Sequence, residues 1–209
     1  VVERVRNSGA IILGKTNTPE FGLLGATENL LADHCRNPWN VERTTGGSSG
    51  GAGGALVAGL CAIATGSDGG GSIRIPASFC GTYGIKPTQG RVPRYGGSLA
   101  PVLANQTSQS GPMSRTVLDS AILLQILAGH DHRDPSCLRT EPPNFIAAVE
   151  KDITGLRIAW SKDFGYASVE AEVSDAFCKG ANLFLDLGCI VEEPEFVLDA
   201  PFDPFITIF

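Results

Sequence analysis

Short apolar runs alternate with amphipathic and glycine-rich stretches in the first part of the chain. Residues 10–13 and 62–65 are apolar runs that are each followed by a glycine, and both predict buried strands. Between them, an apolar stretch at 56–60 follows a series of small residues. This order predicts a helix that begins near Ser48 and Ser49 and lays its Gly and Ala face close against a sheet.

The next part of the chain carries a stronger helix signal. Thr116 and Asp119 form a capping box, apolar residues follow at helical spacing, and Gly129 is placed to end the helix. Residues 131–143 are rich in Asp, Arg and Pro, which is typical of a surface loop rather than of a linker between domains.

The last third repeats the strand and helix alternation. Residues 156–160 predict a strand, a helix capped by Ser168 and ended by Gly188 follows, and a further strand begins at 189–191. Strands that alternate with helices predict an α/β layered fold with a mainly parallel (mixed) central sheet flanked by helices. We expect residues 1–209 to form a single incomplete domain.

Composition narrows the class of protein. The chain is 43% hydrophobic and 18% charged, which excludes a disordered protein. Its net charge is -6 and its sequence shows no cluster of Lys and Arg, which argues against a nucleic-acid-binding protein. No apolar run is long enough to span a membrane. The six cysteines form no C-x-x-C pair and only three histidines are present, so we expect free thiols, no metal, no cofactor and a cytoplasmic protein. The expected partner is a small molecule, and homo-oligomerisation stays open.

One motif points to a rival function. Residues 9–16 read GAIILGKT and satisfy G-x-x-x-x-G-K-T, the pattern of a phosphate-binding loop, so a nucleotide-binding module is an alternative. The middle residues, however, are strand-forming, whereas a phosphate loop must turn there. Pro19 also disfavours a continuous helix after Lys15 and Thr16.

Two glycine-rich serine segments carry the chemistry. They read GGSSGG at 46–51 and GSDGGGSIRIP at 66–76. Three glycines before Ser72 allow positive φ values, so successive backbone N–H groups can converge on one anionic oxygen beside a hydroxyl. Asp68 and Arg74 can pair to fix this loop, with a plain surface ion pair as the alternative.

These segments resemble the amidase signature family. The likeness runs through 46–51, 66–76 and 79–88, with similar flanking segments at 14–17, 20–22 and 111–116, and it weakens beyond residue 140. The resemblance implies an amide hydrolase with a Ser-cisSer-Lys triad.

The roles implied by the resemblance fall on particular residues. Ser72 would be the nucleophile that forms an acyl-enzyme, and Ser48 the cis-Ser that relays its proton to a Lys. The oxyanion hole would comprise the backbone of Gly69, Gly70, Gly71 and Ser72. The supporting residues would be Ser49, Ser67, Asp68 and Arg74.

The resemblance also sets two further expectations. The family's Lys precedes the segment at 14–17, so we expect it upstream of Val1 and expect residues 1–209 alone to show little amidase activity. Ile75 and the glycine triplet favour a free-standing amidase that acts on a small-molecule amide. The alternative is the A subunit of glutamyl-tRNA(Gln) amidotransferase, which releases ammonia from glutamine for a partner subunit.

Overall fold

The computed structural model describes residues 1–95, 107–195 and 198–208. The chain forms two compact units, Val1–Glu150 and Lys151–Phe209. That residues 1–209 belong to one incomplete domain stays a prediction.

The first unit contains both glycine-rich serine segments. Its elements, in chain order, are α1 (Val2–Asn7), a 3₁₀ turn (Glu20–Gly22), β1 (Arg36–Asn37), β2 (Asn40–Thr44), α2 (Gly50–Val57), β3 (Ile63–Asp68), α3 (Arg74–Cys80), β4 (Tyr83–Gly84), β5 (Gln109–Ser114), α4 (Val117–Leu127) and α5 (Phe145–Val149). Residues 131–143 form the predicted loop within this unit.

The second unit is smaller. Its described elements are β6 (Arg157–Ala159), α6 (Ala171–Asp186), β7 (Ile190–Glu192) and α7 (Phe202–Ile208). β6 and β7 pair in parallel, as expected for two strands joined by a helix.

The α/β class is confirmed, but the strand directions in the first unit differ from the mainly parallel expectation. The sheet order is β3-β5-β4, and β5 runs antiparallel to both neighbours. β3 and β4, which α3 connects, therefore run in the same direction with β5 inserted between them. The alternation of elements predicts such a parallel crossover, but it does not reveal which later strand enters the gap.

The strand predicted at 62–65 is confirmed as β3, whereas the one predicted at 10–13 is wrong. Ile11 and Leu13 are 87% and 74% exposed, and no described strand pairs with this run. An apolar β-branched run becomes a strand only where a neighbour completes its backbone hydrogen bonds.

The predicted glycine-rich helix is confirmed as α2, and Ser49 is its N-cap residue. Its glycine face packs differently from the prediction, because a Cβ on Gly53 would lie 3.1 Å from the Cys80 sulfur of α3. Glycine therefore allows close contact with a helix rather than with a sheet. The other side of α2 joins the core next to β5, in a buried cluster of Ala52, Leu56, Ile73 and Met113.

The starts of α4 and α6 can be compared with the predicted capping residues. The Thr116 side chain accepts a 3.1 Å hydrogen bond from the Asp119 N–H at the start of α4, which confirms Thr116 as the predicted cap. The Asp119 carboxylate accepts from the Thr116 hydroxyl at 2.7 Å. α6 begins at Ala171 with Glu170 as N-cap, so the prediction of Ser168 as cap is wrong. Glu170 makes no side-chain cap hydrogen bond, so a capping hydroxyl does not set this helix start.

Three general features complete the description. All six cysteines are free. Across the described ranges, no helix is long and apolar enough to cross a membrane. The same ranges contain no group of three or more His, Cys, Asp or Glu side chains that could hold a metal ion.

Candidate active site

The fold brings the two serine segments together at the start of α2. The Ser49 N–H donates a 3.0 Å hydrogen bond to the Ser72 carbonyl. The Ser49 hydroxyl also accepts from the Ser67 N–H at 3.3 Å and lies 3.4 Å from the Ser67 carbonyl. Ser49 thus joins the first segment to Ser67 and Ser72 of the second one.

A buried carboxylate organises the loop that carries Ser72. Asp68, the last residue of β3, is 0% exposed. It accepts from the N–H groups of Gly71 at 2.7 Å and Ile73 at 3.2 Å, and from the Arg74 side chain at 2.8 and 2.9 Å. Because one partner is fully buried, this is not a plain surface ion pair.

The surroundings of Asp68 favour its ionised form. Burial raises the pKa of the Asp68 carboxyl, but hydrogen bonds and charge from Arg74, together with the N–H groups of Gly71 and Arg74, outweigh it and lower the pKa below 3.8. The same contact raises the pKa of the Arg74 guanidinium. The loop is therefore fixed by an ionised carboxylate at neutral pH.

This shift predicts how stability depends on pH. Because the folded-state pKa of Asp68 lies below its unfolded-state value, its contribution is fully present above the unfolded pKa and is lost as pH falls through the folded one. We expect the free energy of unfolding to fall below about pH 4, and to fall less steeply in Asp68→Asn, which cannot titrate. Denaturant unfolding at a series of pH values measures both slopes, and equal slopes would contradict the prediction.

The backbone donors of the loop are not equivalent. The N–H of Gly71 is engaged by Asp68, whereas among the described residues no hydrogen bond is made by the N–H groups of Gly69, Gly70 and Ser72. Gly71 has a φ of 129°, a value that side-chain-bearing residues rarely adopt. The loop can therefore offer free N–H groups to an oxyanion near Ser72, with Gly71 holding its shape.

Ser48 lies beneath a segment that sequence reasoning did not place in the site. The peptide bond between Gly47 and Ser48 is cis, and Ser48 is 6% exposed. A Cβ on Gly22 would lie 3.6 Å from the Ser48 hydroxyl oxygen, and a Cβ on Gly47 would lie 2.6 Å from the Leu24 carbonyl and 2.9 Å from Ala26. Residues 22–26 therefore cover the turn that carries Ser48.

The same N-terminal stretch fits the glycines at the start of α2. A Cβ on Gly51 would collide with the Asn17 backbone, and the Gly51 N–H donates to the Asn17 carbonyl at 3.1 Å. The buried Thr27 hydroxyl donates to the Gly46 carbonyl at 2.8 Å. The only sequence signal for this role is the resemblance of segments 14–17 and 20–22 to the amidase signature family, which gives no contact partner.

The rival phosphate-loop motif does not have the required geometry. Residues 10–16 have no regular secondary structure and follow α1, so the strand that should precede the loop and the helix that should follow Lys15 and Thr16 are both lacking in this described stretch. The three histidines also lie outside the serine segments, and His34 faces Glu28 at 3.7 Å.

Comparison with known proteins identifies one family. A family model described as Amidase matches residues 1–207. The A subunit of the glutamyl-tRNA(Gln) amidotransferase of Syntrophobacter fumaroxidans is 45% identical over 193 residues, covering 92% of this chain and 39% of that relative. Its counterpart from Carboxydothermus hydrogenoformans is 42% identical over 193 residues, with the same coverage of 92% and 39%.

The solved structures that resemble this chain belong to the same kinds of enzyme. A bacterial aryl acylamidase of the amidase signature family superposes with a TM-score of 0.86 at 37% identity, covering 92% of this chain and 39% of that one. The glutamyl-tRNA(Gln) amidotransferase A subunit of Thermotoga maritima gives a TM-score of 0.83 at 38% identity, covering 92% and 42%. The chain thus spans about two fifths of the length of the proteins it matches.

Proposed function

Because the chain belongs to the amidase signature family, we propose that it carries the serine nucleophile and proton relay of an amide hydrolase. In this reaction the Ser72 hydroxyl oxygen bonds to the amide carbonyl carbon while its proton passes to Ser48 and on to a Lys. The carbon–nitrogen bond then breaks, and the nitrogen leaves with a proton as ammonia or an amine. Water cleaves the resulting acyl-enzyme to the carboxylic acid and restores Ser72.

The observation that carries this proposal is the loop held by Asp68. It combines a half-buried serine with free N–H groups at Gly69, Gly70 and Ser72, which suit the charge that develops on the carbonyl oxygen. Ser49 ties this loop to the turn that carries Ser48. The Lys of the relay is part of this proposal only because the chain resembles the amidase signature family.

There are two candidate substrates, glutamine and a small-molecule amide. The curated relatives favour glutamine, since those described above are named amidotransferase A subunits. They support this alternative better than the free-standing amidase that Ile75 and the glycine triplet favour. In that case the chain would act beside a partner subunit that uses the ammonia. The free-standing amidase is supported by the aryl acylamidase likeness and by Ile75, an apolar side chain that packs under Gly71.

The proposal needs neither a cofactor nor a nucleotide. It places the protein in the cytoplasm, because six free cysteines suit a reducing compartment. Homo-oligomerisation stays open.

Covalent labelling tests the nucleophile. We expect a fluorophosphonate to modify Ser72 in the full-length protein that carries this chain, because the serine oxygen displaces fluoride from phosphorus as it would attack an amide carbon. Mass-spectrometric mapping locates the adduct, and Ser72→Ala should remain unlabelled. An adduct on another serine would overturn the assignment.

Substrate turnover separates the two candidates. Glutamine and an aryl amide are compared by kcat/KM in the same preparation, with Ser72→Ala as the blank. Faster release of ammonia from glutamine supports the amidotransferase role, and faster release of the arylamine supports the free-standing amidase.

A further inference from the structure

The 3₁₀ turn at residues 20–22 places an aromatic residue next to the candidate relay serine. Gly22 approaches Ser48 so closely that a Cβ on it would lie 3.6 Å from the hydroxyl oxygen. Phe21 is the adjacent residue. Its ring is therefore attached at the edge of the candidate active site.

Contacts on both sides of residues 20–22 fix the position of this turn. Before it, the Asn29 side chain donates to the Thr18 carbonyl at 2.7 Å, and Pro19 is buried. After it, Leu24 and Ala26 pack against Gly47. The position of Phe21 is thus set by contacts with the core of the site rather than by its own side chain.

The backbone of Phe21 is unusual for a bulky residue. Its φ and ψ are 53° and 8°, in the left-handed region, where non-glycine residues are uncommon and cluster at functional sites. The Phe21 ring does not account for this conformation, because the residue is 95% exposed. Its side chain contributes nothing to the described core.

We propose that Phe21 forms an apolar wall of the substrate site and favours amides whose acyl group carries an apolar chain. This inference rests on the proposed amide hydrolysis through Ser72. An acyl group bonded to Ser72 extends from a loop that Ser49 ties to the Ser48 turn. Phe21 directly precedes Gly22, the residue that approaches this turn. Each methylene that contacts the ring raises kcat/KM for the longer amide.

Two fluorophosphonates with the same leaving fluoride test the contact, one with a methyl and one with an octyl chain. The variants are Phe21→Gly, which removes the ring and accepts a positive φ, and Phe21→Tyr, which retains a ring. Phe164→Gly is the matched control, since Phe164 also has a φ of 53° and lies in the second compact unit. The measured quantity is the second-order rate of Ser72 labelling in the full-length protein, with thermal unfolding of each variant.

We expect Phe21→Gly to slow labelling by the octyl compound about tenfold while the methyl compound reacts nearly as before. Phe21→Tyr and Phe164→Gly should keep the wild-type preference for the longer chain. An equal loss with both compounds, or no loss with either, would overturn the inference and leave the proposed function standing. Absence of any Ser72 adduct in the wild-type protein would overturn both.

Discussion

Replacing Ser48 by alanine is expected to lower kcat for amide hydrolysis about 10²- to 10⁴-fold, because the proposed relay then lacks the group that would take the proton of Ser72. The fold should survive, since Ser48 is buried at 6% exposure and alanine fits within the space of serine. Steady-state kinetics on the full-length protein, with a thermal unfolding curve for each variant, measures both parts of the expectation.

Ser78→Ala is the matched control for this experiment. Ser78 is an exposed residue of α3, so its replacement should leave kcat and thermal stability unchanged. Turnover by Ser48→Ala at the wild-type rate would exclude Ser48 from proton transfer. A drop in unfolding temperature that parallels the drop in kcat would instead assign Ser48 a structural role.

The elements that the sequence predicts well are those whose signal is local. The capping box at Thr116 and Asp119 lies within one turn of helix, so its hydrogen bond forms wherever α4 packs. The glycine triplet before Ser72 is equally local, because the need for positive φ at Gly71 arises inside the loop. Both features can therefore be predicted without knowledge of the rest of the fold.

The elements that the sequence predicts poorly depend on residues that are distant along the chain. Residues 10–13 have the composition of a strand, but strand formation depends on a neighbour, and the described residues provide none there. The insertion of β5 between β3 and β4 is likewise a long-range event. Periodicity identifies which face of a segment is apolar, but it does not identify the segment that covers it.

In the candidate site, too, the residues close to the serines in sequence could be predicted and the distant ones could not. The predicted supporting residues Ser49 and Asp68 are close in sequence to the serines, and the structure gives both of them hydrogen bonds that join or shape the loops. Residues 22–26 approach Gly47 and Ser48 from about 20 positions away, through glycine and backbone contacts rather than through polar side chains. Such close backbone approach has no signature in a single sequence beyond the presence of glycine.

Replacing Asp68 by alanine is expected to destabilise the first unit by about 3 kcal/mol, because two buried backbone donors, at Gly71 and Ile73, lose their acceptor. Activity should fall by at least about 10²-fold, because the free N–H groups beside Ser72 are then no longer held in position. Denaturant unfolding measures the first effect, and kcat on the full-length protein measures the second. Because Asp68 positions the loop and does not itself react, the labelling of Ser72 should slow without moving to another serine.

The partner variant Arg74→Gln distinguishes the buried carboxylate from the ion pair. The Arg74 side chain is 57% exposed, so water can partly replace its charge, and the glutamine amide can still donate a hydrogen bond to Asp68. The loss of the guanidinium should therefore cost less than the about 3 kcal/mol expected for Asp68→Ala. Asp68 keeps its backbone donors in this variant, so the loop should hold its shape and Ser72 should remain reactive. If Arg74→Gln lost as much stability and activity as Asp68→Ala, the guanidinium rather than the buried hydrogen bonds would hold the loop, and the assignment of Asp68 as its organiser would be wrong.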